Sequence, residues 1–409
     1  MVFQTRRLHL IAASTLAVLA GCAQLDSAAP AAITQGPAGD AFYTPPTLAA
    51  GHHGDLIWAR PLTTQAALPS AAQNWLVLYR STDVAGQPVA VSGTVAIPSG
   101  TPPAGGWPVL SWTHGTTGIA DLCAPSRNRP DYPARDYINL MSASLDQWLQ
   151  RGYAVVQTDY QGLGTPGTHP YLVGDSEARG AIDMVLAARQ LTPGLSKNWL
   201  VMGHSQGGQA AIYTAARAPD YGQGLNLKGA IAIAPASHLS TLVAYSQAHP
   251  DMNANGFGAL MTVGIGAGAP GLNTTAMLTA EGKKRIQLVE ERCVVGLSAP
   301  DAWSLKTSEL VNANADYAAF NGALATLADT ENTRPQVPLL VLQADNDEVV
   351  PAHLTAKMVA RFKTLGVDVD ARNYKVGDKG TARTYHQATV PTAMGDAMEW
   401  AQGRLPAGK

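Results

Sequence analysis

Trp199-Leu200-Val201-Met202-Gly203-His204-Ser205-Gln206-Gly207-Gly208-Gln209-Ala210-Ala211-Ile212-Tyr213 reads as a buried strand that turns sharply, through glycines, into a helix. Apolar runs of the same type recur at 108–112, 154–158, 229–234 and 337–343, each short enough for a strand and without polar alternation. Such runs belong to a parallel sheet covered on both faces. Amphipathic stretches of helical length separate them, at 137–150, 179–191, 205–218 and 352–365, with a last one at 392–404. Upstream, 75–80 and 88–97 alternate apolar and small polar residues around Asp83-Val84-Ala85-Gly86, which predicts a hairpin. The fold class is α/β, with a mostly parallel central sheet and helices on both faces.

The alternation breaks once. About a hundred residues separate the runs at 229–234 and 337–343, far more than a crossover needs. The insertion, 238–333, is mostly helical in pattern, with good segments at 280–293 and 316–327 and six glycines from Gly256 to Gly271. It is expected to be a cap over the carboxyl ends of the strands, where α/β proteins bind ligands. The predicted organisation is therefore an exported leader (1–21), a flexible tether rich in Ala, Pro and Gly (22–50), a core in two parts (51–237 and 334–409) and the cap between them.

The leader reading rests on Arg6 and Arg7, followed by an uncharged run of 13 residues, 8–20. That run falls short of the ~20 residues a membrane-spanning helix requires. It ends Leu19-Ala20-Gly21-Cys22, which resembles the lipobox of bacterial lipoproteins. The resemblance implies lipidation of Cys22, and Ala23 after it implies outer-membrane anchoring. In an oxidising compartment the remaining cysteines of the three, Cys123 and Cys293, are expected to pair. With 28 Lys+Arg against 30 Asp+Glu, a net charge of −2 offers no field for nucleic acid. At 46 % hydrophobic and 14 % charged residues the chain of 409 is neither disordered nor a coiled coil.

Gly203-His204-Ser205-Gln206-Gly207 matches G-x-S-x-G in the strand–turn–helix context that a nucleophile elbow requires. A serine hydroxyl needs a base, and on this fold the order is Ser, acid, His. After the long insertion, Asp345 and Asp347 compete in Gln343-Ala344-Asp345-Asn346-Asp347-Glu348-Val349-Val350-Pro351. The pattern usual to this fold class places the acid just before a run ending in Val-Pro, which selects Asp347. His386, expected between a final strand at 370–376 and the last helix, is the base; His353 is expected at the surface. His204 and His114 are expected to be structural or pocket-lining. The Gln206 N–H should supply one oxyanion donor. The second should come either from Thr116, in His114-Gly115-Thr116-Thr117-Gly118, or from the Thr158-Asp159-Tyr160-Gln161-Gly162-Leu163-Gly164 loop. No metal or organic cofactor is called for.

Together, G-H-S-Q-G-G, D-Y-Q-G-L-G after the V-V-Q-T strand, D-E-V-V-P and Tyr385-His386 resemble the secretory lipase family, over roughly 70–400 and including the cap. The resemblance implies an α/β-hydrolase fold, Asp159 with Gln206 in the oxyanion hole, and hydrolysis of carboxylic esters through an acyl-serine, on lipid or small-molecule substrates. Asp159 thus ranks ahead of Thr116. A serine peptidase on the same fold, and a surface-anchored binding lipoprotein without catalysis, are the alternatives; the intact, ordered set of Ser205, Asp347 and His386 argues against the second.

Overall fold

The computed structural model describes residues 1–2, 33–45, 47–48, 50–377 and 381–407. The leader and Cys22 lie outside the described residues. One compact unit spans Thr34–Lys409. Its strands and helices, in chain order, are β1 Leu56–Pro61, β2 Gln73–Thr82, β3 Pro88–Ile97, β4 Trp107–Thr113, α1 Arg135–Gln150, β5 Ala154–Thr158, α2 Gly174–Leu191, β6 Leu195–His204, α3 Gln206–Tyr221 and β7 Asn226–Ile233. The insertion follows with α4 Leu239–Ala248, α5 Gly256–Gly268, α6 Ala280–Arg285, α7 Val294–Leu297, α8 Thr307–Leu310 and α9 Ala318–Leu327. The chain closes with β8 Leu339–Ala344, α10 Ala352–Thr364, β9 Val369–Tyr374 and α11 Ala382–Gln402.

The nine strands form one sheet in the order β1-β2-β3-β5-β4-β6-β7-β8-β9. Its first three strands pair antiparallel and hand over to β5, after which every pair is parallel. β4 is buried at all seven positions, as expected of a central strand with helices on both faces. Two apolar layers result. One packs Ile182, Val185, Ile212 and Phe362 of α2, α3 and α10 against one face; the other packs Trp148, Val390 and Met394 of α1 and α11 against the opposite face. A third cluster lies in the insertion around Leu260, Trp303 and Phe320.

Four local expectations need correction. Residues 34–45, assigned to the tether, are part of the folded unit: Phe42 and Tyr43 are buried against the β1–β3 ribbon, and the Arg60 and Arg127 guanidinium groups cover their rings at 4.9 and 3.8 Å. Two aromatics outweigh the flexible composition around them. β1 was not anticipated. The segment 280–293 is broken rather than continuous, tightening into a 3₁₀ turn over Ile286–Glu290. α11 begins ten residues earlier than expected, because Thr381 caps it at Thr384 N–H and Pro391 lies inside the helix instead of opening it. Buried packing of Val390 and Ala393 on either side of Pro391 offsets the ~3 kcal/mol that an interior proline costs.

The sulfur atoms of Cys123 and Cys293 lie at disulfide distance, 2.10 Å, and join the loop after β4 to the insertion across 170 residues of sequence. The Val294 N–H donates to the Thr117 carbonyl at 2.8 Å beside this link. Closing so long a loop limits the unfolded chain. Reduction, or Cys293→Ser, is expected to cost about 3–5 kcal/mol and to lower Tm by several degrees in a calorimetric scan; an unchanged Tm would show that the link contributes nothing.

Candidate active site

Ser205 occupies the junction of β6 and α3 with φ 60° and ψ −120°, a region that side-chain-bearing residues avoid. The backbone is wired into it. Ser205 N–H donates to the Ile233 carbonyl at 2.9 Å, and the Ser205 carbonyl accepts Gln209 N–H and Ala236 N–H, both at 3.1 Å. The flanking glycines are required by space. A Cβ on Gly203 would sit 2.0 Å from Thr113 Oγ1, one on Gly207 1.9 Å from the Thr113 carbonyl oxygen, and one on Gly208 2.8 Å from Pro235 Cα.

His386 projects from the first turns of α11, inside the helix rather than before it, and is buried. Its Nδ1–H donates to Asp347 Oδ2 at 2.7 Å. Asp347, in the loop after β8, also accepts Gln343 Nε2 on Oδ2 and the Val349 and Val350 N–H groups on Oδ1, at 3.2, 2.9 and 3.0 Å. The carboxylate therefore cannot turn without losing several bonds. Asp345 faces away, exposed, and accepts Asn373 Nδ2 at 2.6 Å. His353 is exposed on α10. The other nitrogen of His386, Nε2, is buried and has no hydrogen-bond partner among the described residues, the Ser205 hydroxyl included.

His204 holds this imidazole in place. Its Nε2–H donates to the His386 carbonyl at 3.1 Å, and the two rings lie 4.4 Å apart. Its Nδ1 then accepts the Tyr137 hydroxyl at 2.9 Å, while the same hydroxyl accepts Gly115 N–H at 2.8 Å. Burial pushes the His204 pKa well down, as it does for His114, to about 4, and for His169, to about 3. All three imidazoles are therefore neutral at pH 7.

Gln206 opens α3, so its N–H has no intrahelical acceptor. Thr116 lines the same cavity as Ser205 and Gln206, and no carbonyl among the described residues accepts its N–H. Asp159, ranked ahead of Thr116 from the sequence, is not free to serve that space. Its N–H is spent on the Ser92 carbonyl at 2.9 Å, and its carboxylate accepts the Ser92 hydroxyl, the Ser126 N–H and the Ser126 hydroxyl. Burial raises its pKa.

The cavity above Ser205 measures about 390 Å³ and is roofed by the insertion, with Leu239, Met252, Phe257, Met261, Trp303 and Phe320 among its walls. Four residues around the site escaped sequence reading: Tyr137, His169, Tyr171 and Glu177. The helix predicted from 179 in fact starts at Gly174, so Glu177 fell outside the segment where an acid on a buried face would have stood out.

A family profile described as secretory lipase matches residues 137–409. Lipase A of Moesziomyces aphidis is 26 % identical over 412 aligned residues, covering 92 % of this chain and 83 % of the relative. Among solved structures, the rice cell wall degrading esterase LipA of Xanthomonas oryzae superposes with a TM-score of 0.69 at 21 % identity, over 87 % of this chain and 99 % of that one. Candida antarctica lipase A in its closed state superposes with 0.68 at 20 % identity, over 88 % and 84 %. The fold is thus that of the α/β-hydrolases.

The glycine contacts give a test of the strained turn. Gly207→Ala is expected to cost about 3 kcal/mol or more by overpacking against β4. Gly258→Ala, in the first turn of α5, whose nearest atom would be Trp303 Nε1 at 3.6 Å, is expected to be neutral or stabilising. Denaturant unfolding of both variants checks this; equal stabilities would refute it.

Proposed function

Because the chain belongs to the secretory lipase family, we propose that it hydrolyses carboxylic esters through a covalent acyl-serine on Ser205. The reading rests above all on the hydrogen bond from His386 Nδ1 to Asp347, with the buried Nε2 of the same ring left without a partner, and on the strained turn at Ser205, whose preceding residue His204 donates to the His386 carbonyl. In this mechanism Nε2 takes the Ser205 proton as the hydroxyl oxygen attacks the ester carbonyl. Asp347 fixes the tautomer and stabilises the imidazolium. The oxyanion accepts the N–H groups of Gln206 and Thr116, each worth about 3 kcal/mol of barrier. The imidazolium then protonates the leaving alcohol, and a water, activated by the same nitrogen, releases the acid. Neutral His114, His169 and His204 add no competing charge.

The acyl group fits the roofed cavity, whose walls are mainly aliphatic, methionine and aromatic side chains. This favours a lipase or broad carboxylesterase over a peptidase, whose substrate would bring unpaired amides into that space. No helix among the described residues is long and apolar enough to cross a membrane. Export and attachment through a lipidated Cys22, as residues 1–22 suggest, belong to the same reading and would hold the enzyme at a membrane surface.

Two measurements test the chemistry. Ser205→Ala should abolish both turnover of p-nitrophenyl esters and labelling by a fluorophosphonate. Asp347→Asn should lower kcat by about 10³–10⁴-fold, whereas Asp345→Asn should leave it nearly unchanged; the reverse ranking would overturn the assignment of the acid. For the substrate, kcat/KM is expected to climb with acyl length from two to eight carbons, by up to about fourfold per methylene buried. A flat or falling profile would remove the acyl group from the roofed cavity.

A further inference from the structure

Outside Ser205, His386 and Asp347, Glu177 in the first turn of α2 is a buried acid bonded to the side chain of Gln206, with no exposed surface. One carboxyl oxygen, Oε1, accepts Gln206 Nε2 at 2.7 Å and Leu172 N–H at 3.1 Å. The other, Oε2, is buried without a partner among the described residues. Gln206 Nε2 spends its second hydrogen on His169 Nε2 at 3.0 Å. That nitrogen must be the acceptor, since Nδ1–H of the same ring donates to the Gln161 carbonyl at 2.8 Å.

These bonds reach both sides of the oxyanion space. On one side they anchor the side chain of Gln206, whose own N–H is the first donor, and so limit rotation of the 205–206 peptide. On the other they hold Leu172, a residue with φ 64°, whose carbonyl accepts Gln209 Nε2 at 2.9 Å. Its neighbour Tyr171 shares a hydrogen bond of 2.7 Å with the Thr116 hydroxyl. One carboxyl group thus links the segments that carry both donors.

We propose that Glu177 is a positioning residue that sets the Gln206 and Thr116 donors through its hydrogen bonds to the Gln206 side chain and the Leu172 amide. The proposal rests on the ester-hydrolase reading of the same site. The titratable groups that face Glu177 are His169, 4.0 Å away, and the phenols of Tyr160 and Tyr171. None supplies positive charge at pH 7. Burial without a counter-ion pushes the Glu177 pKa up to about 8, so the group is a neutral acid at neutral pH. Neutrality suits the role. A carboxylate here would oppose the negative charge that develops on the substrate oxygen between the two donors.

The test uses the purified mature protein, its Glu177→Gln and Glu177→Leu variants, and Ser205→Ala, with a short p-nitrophenyl ester between pH 6 and 10. Glu177→Gln keeps the acceptor and is expected to retain kcat within about threefold at pH 7, while Glu177→Leu loses about 30-fold or more in kcat with little change in KM. Wild-type kcat should fall as pH rises through 8, and this limb should be missing in Glu177→Gln. Thermal melts establish that each variant is folded; if Glu177→Leu is not, the pH profile of Glu177→Gln decides. Wild-type kcat in a folded Glu177→Leu, a change confined to KM, or an alkaline limb that survives in Glu177→Gln would each overturn the role of Glu177. If those outcomes come with active wild type and inactive Ser205→Ala, the ester-hydrolase reading stands and only this proposal fails. A wild type without turnover would overturn both.

Discussion

The structure depends on forcing one residue, Ser205, into a backbone conformation it would not choose. Strain of this kind costs about 1–3 kcal/mol and persists only where the surroundings over-determine it. Here the over-determination is visible. Ser205 N–H is tied to β7, its carbonyl takes two N–H groups, and α3 starts so close to β4 that Gly203 and Gly207 leave no room for a methyl group. The sheet order contributes too, because β4 and β7 must flank β6 for these contacts to exist. A fully buried central sheet gives the rigidity that such a turn requires.

Around the turn, buried polar groups follow a consistent rule. The imidazoles of His204, His114 and His169 and the carboxyl group of Glu177 are neutral at pH 7, and each is tied to a neighbour or to the backbone. His204, His114 and His169 each donate to a carbonyl, which fixes their tautomers. Tyr137 is the hinge-pin of this arrangement: its hydroxyl accepts the N–H preceding Thr116 and donates to the histidine preceding Ser205, which in turn donates to the carbonyl of His386. Three segments far apart in sequence are thereby set by one phenol. Asp347 is given four donors, one of them His386.

How much of this could be read from the chain varies with the locality of the signal. The α/β class followed from apolar runs that are buried on both faces, and the turn at Ser205 from its glycines, because both are local patterns. Which of the two candidate loops has a backbone N–H left over for a second oxyanion donor is not local. Thr116 and Asp159 follow neighbouring parallel strands, and only the register of β5 against β3, which ties Asp159 N–H to the Ser92 carbonyl, tells them apart. The start of α11 was hidden by Pro391, since tertiary packing overrides the local preference of a proline. α5 was hidden by its glycines. They weaken the helical signal, yet they let the helix lie directly on the loop before α2: a Cβ on Gly264 would fall 2.5 Å from Tyr171, and one on Gly268 2.3 Å from Val173.

That last contact bears on how the insertion works as a roof. α5 rests on Tyr171, whose hydroxyl bonds Thr116. Further along, Val294 N–H bonds the Thr117 carbonyl, and Cys293 is linked to Cys123 across Gly118, where a side chain would meet both sulfur-bearing residues. The insertion and the loop that carries Thr116 are therefore one mechanical unit. A hinge that swung the whole insertion away would drag Thr116 with it. Tyr245 and Met252, at and just beyond α4, line the cavity and also face solvent, so the cavity reaches the surface there.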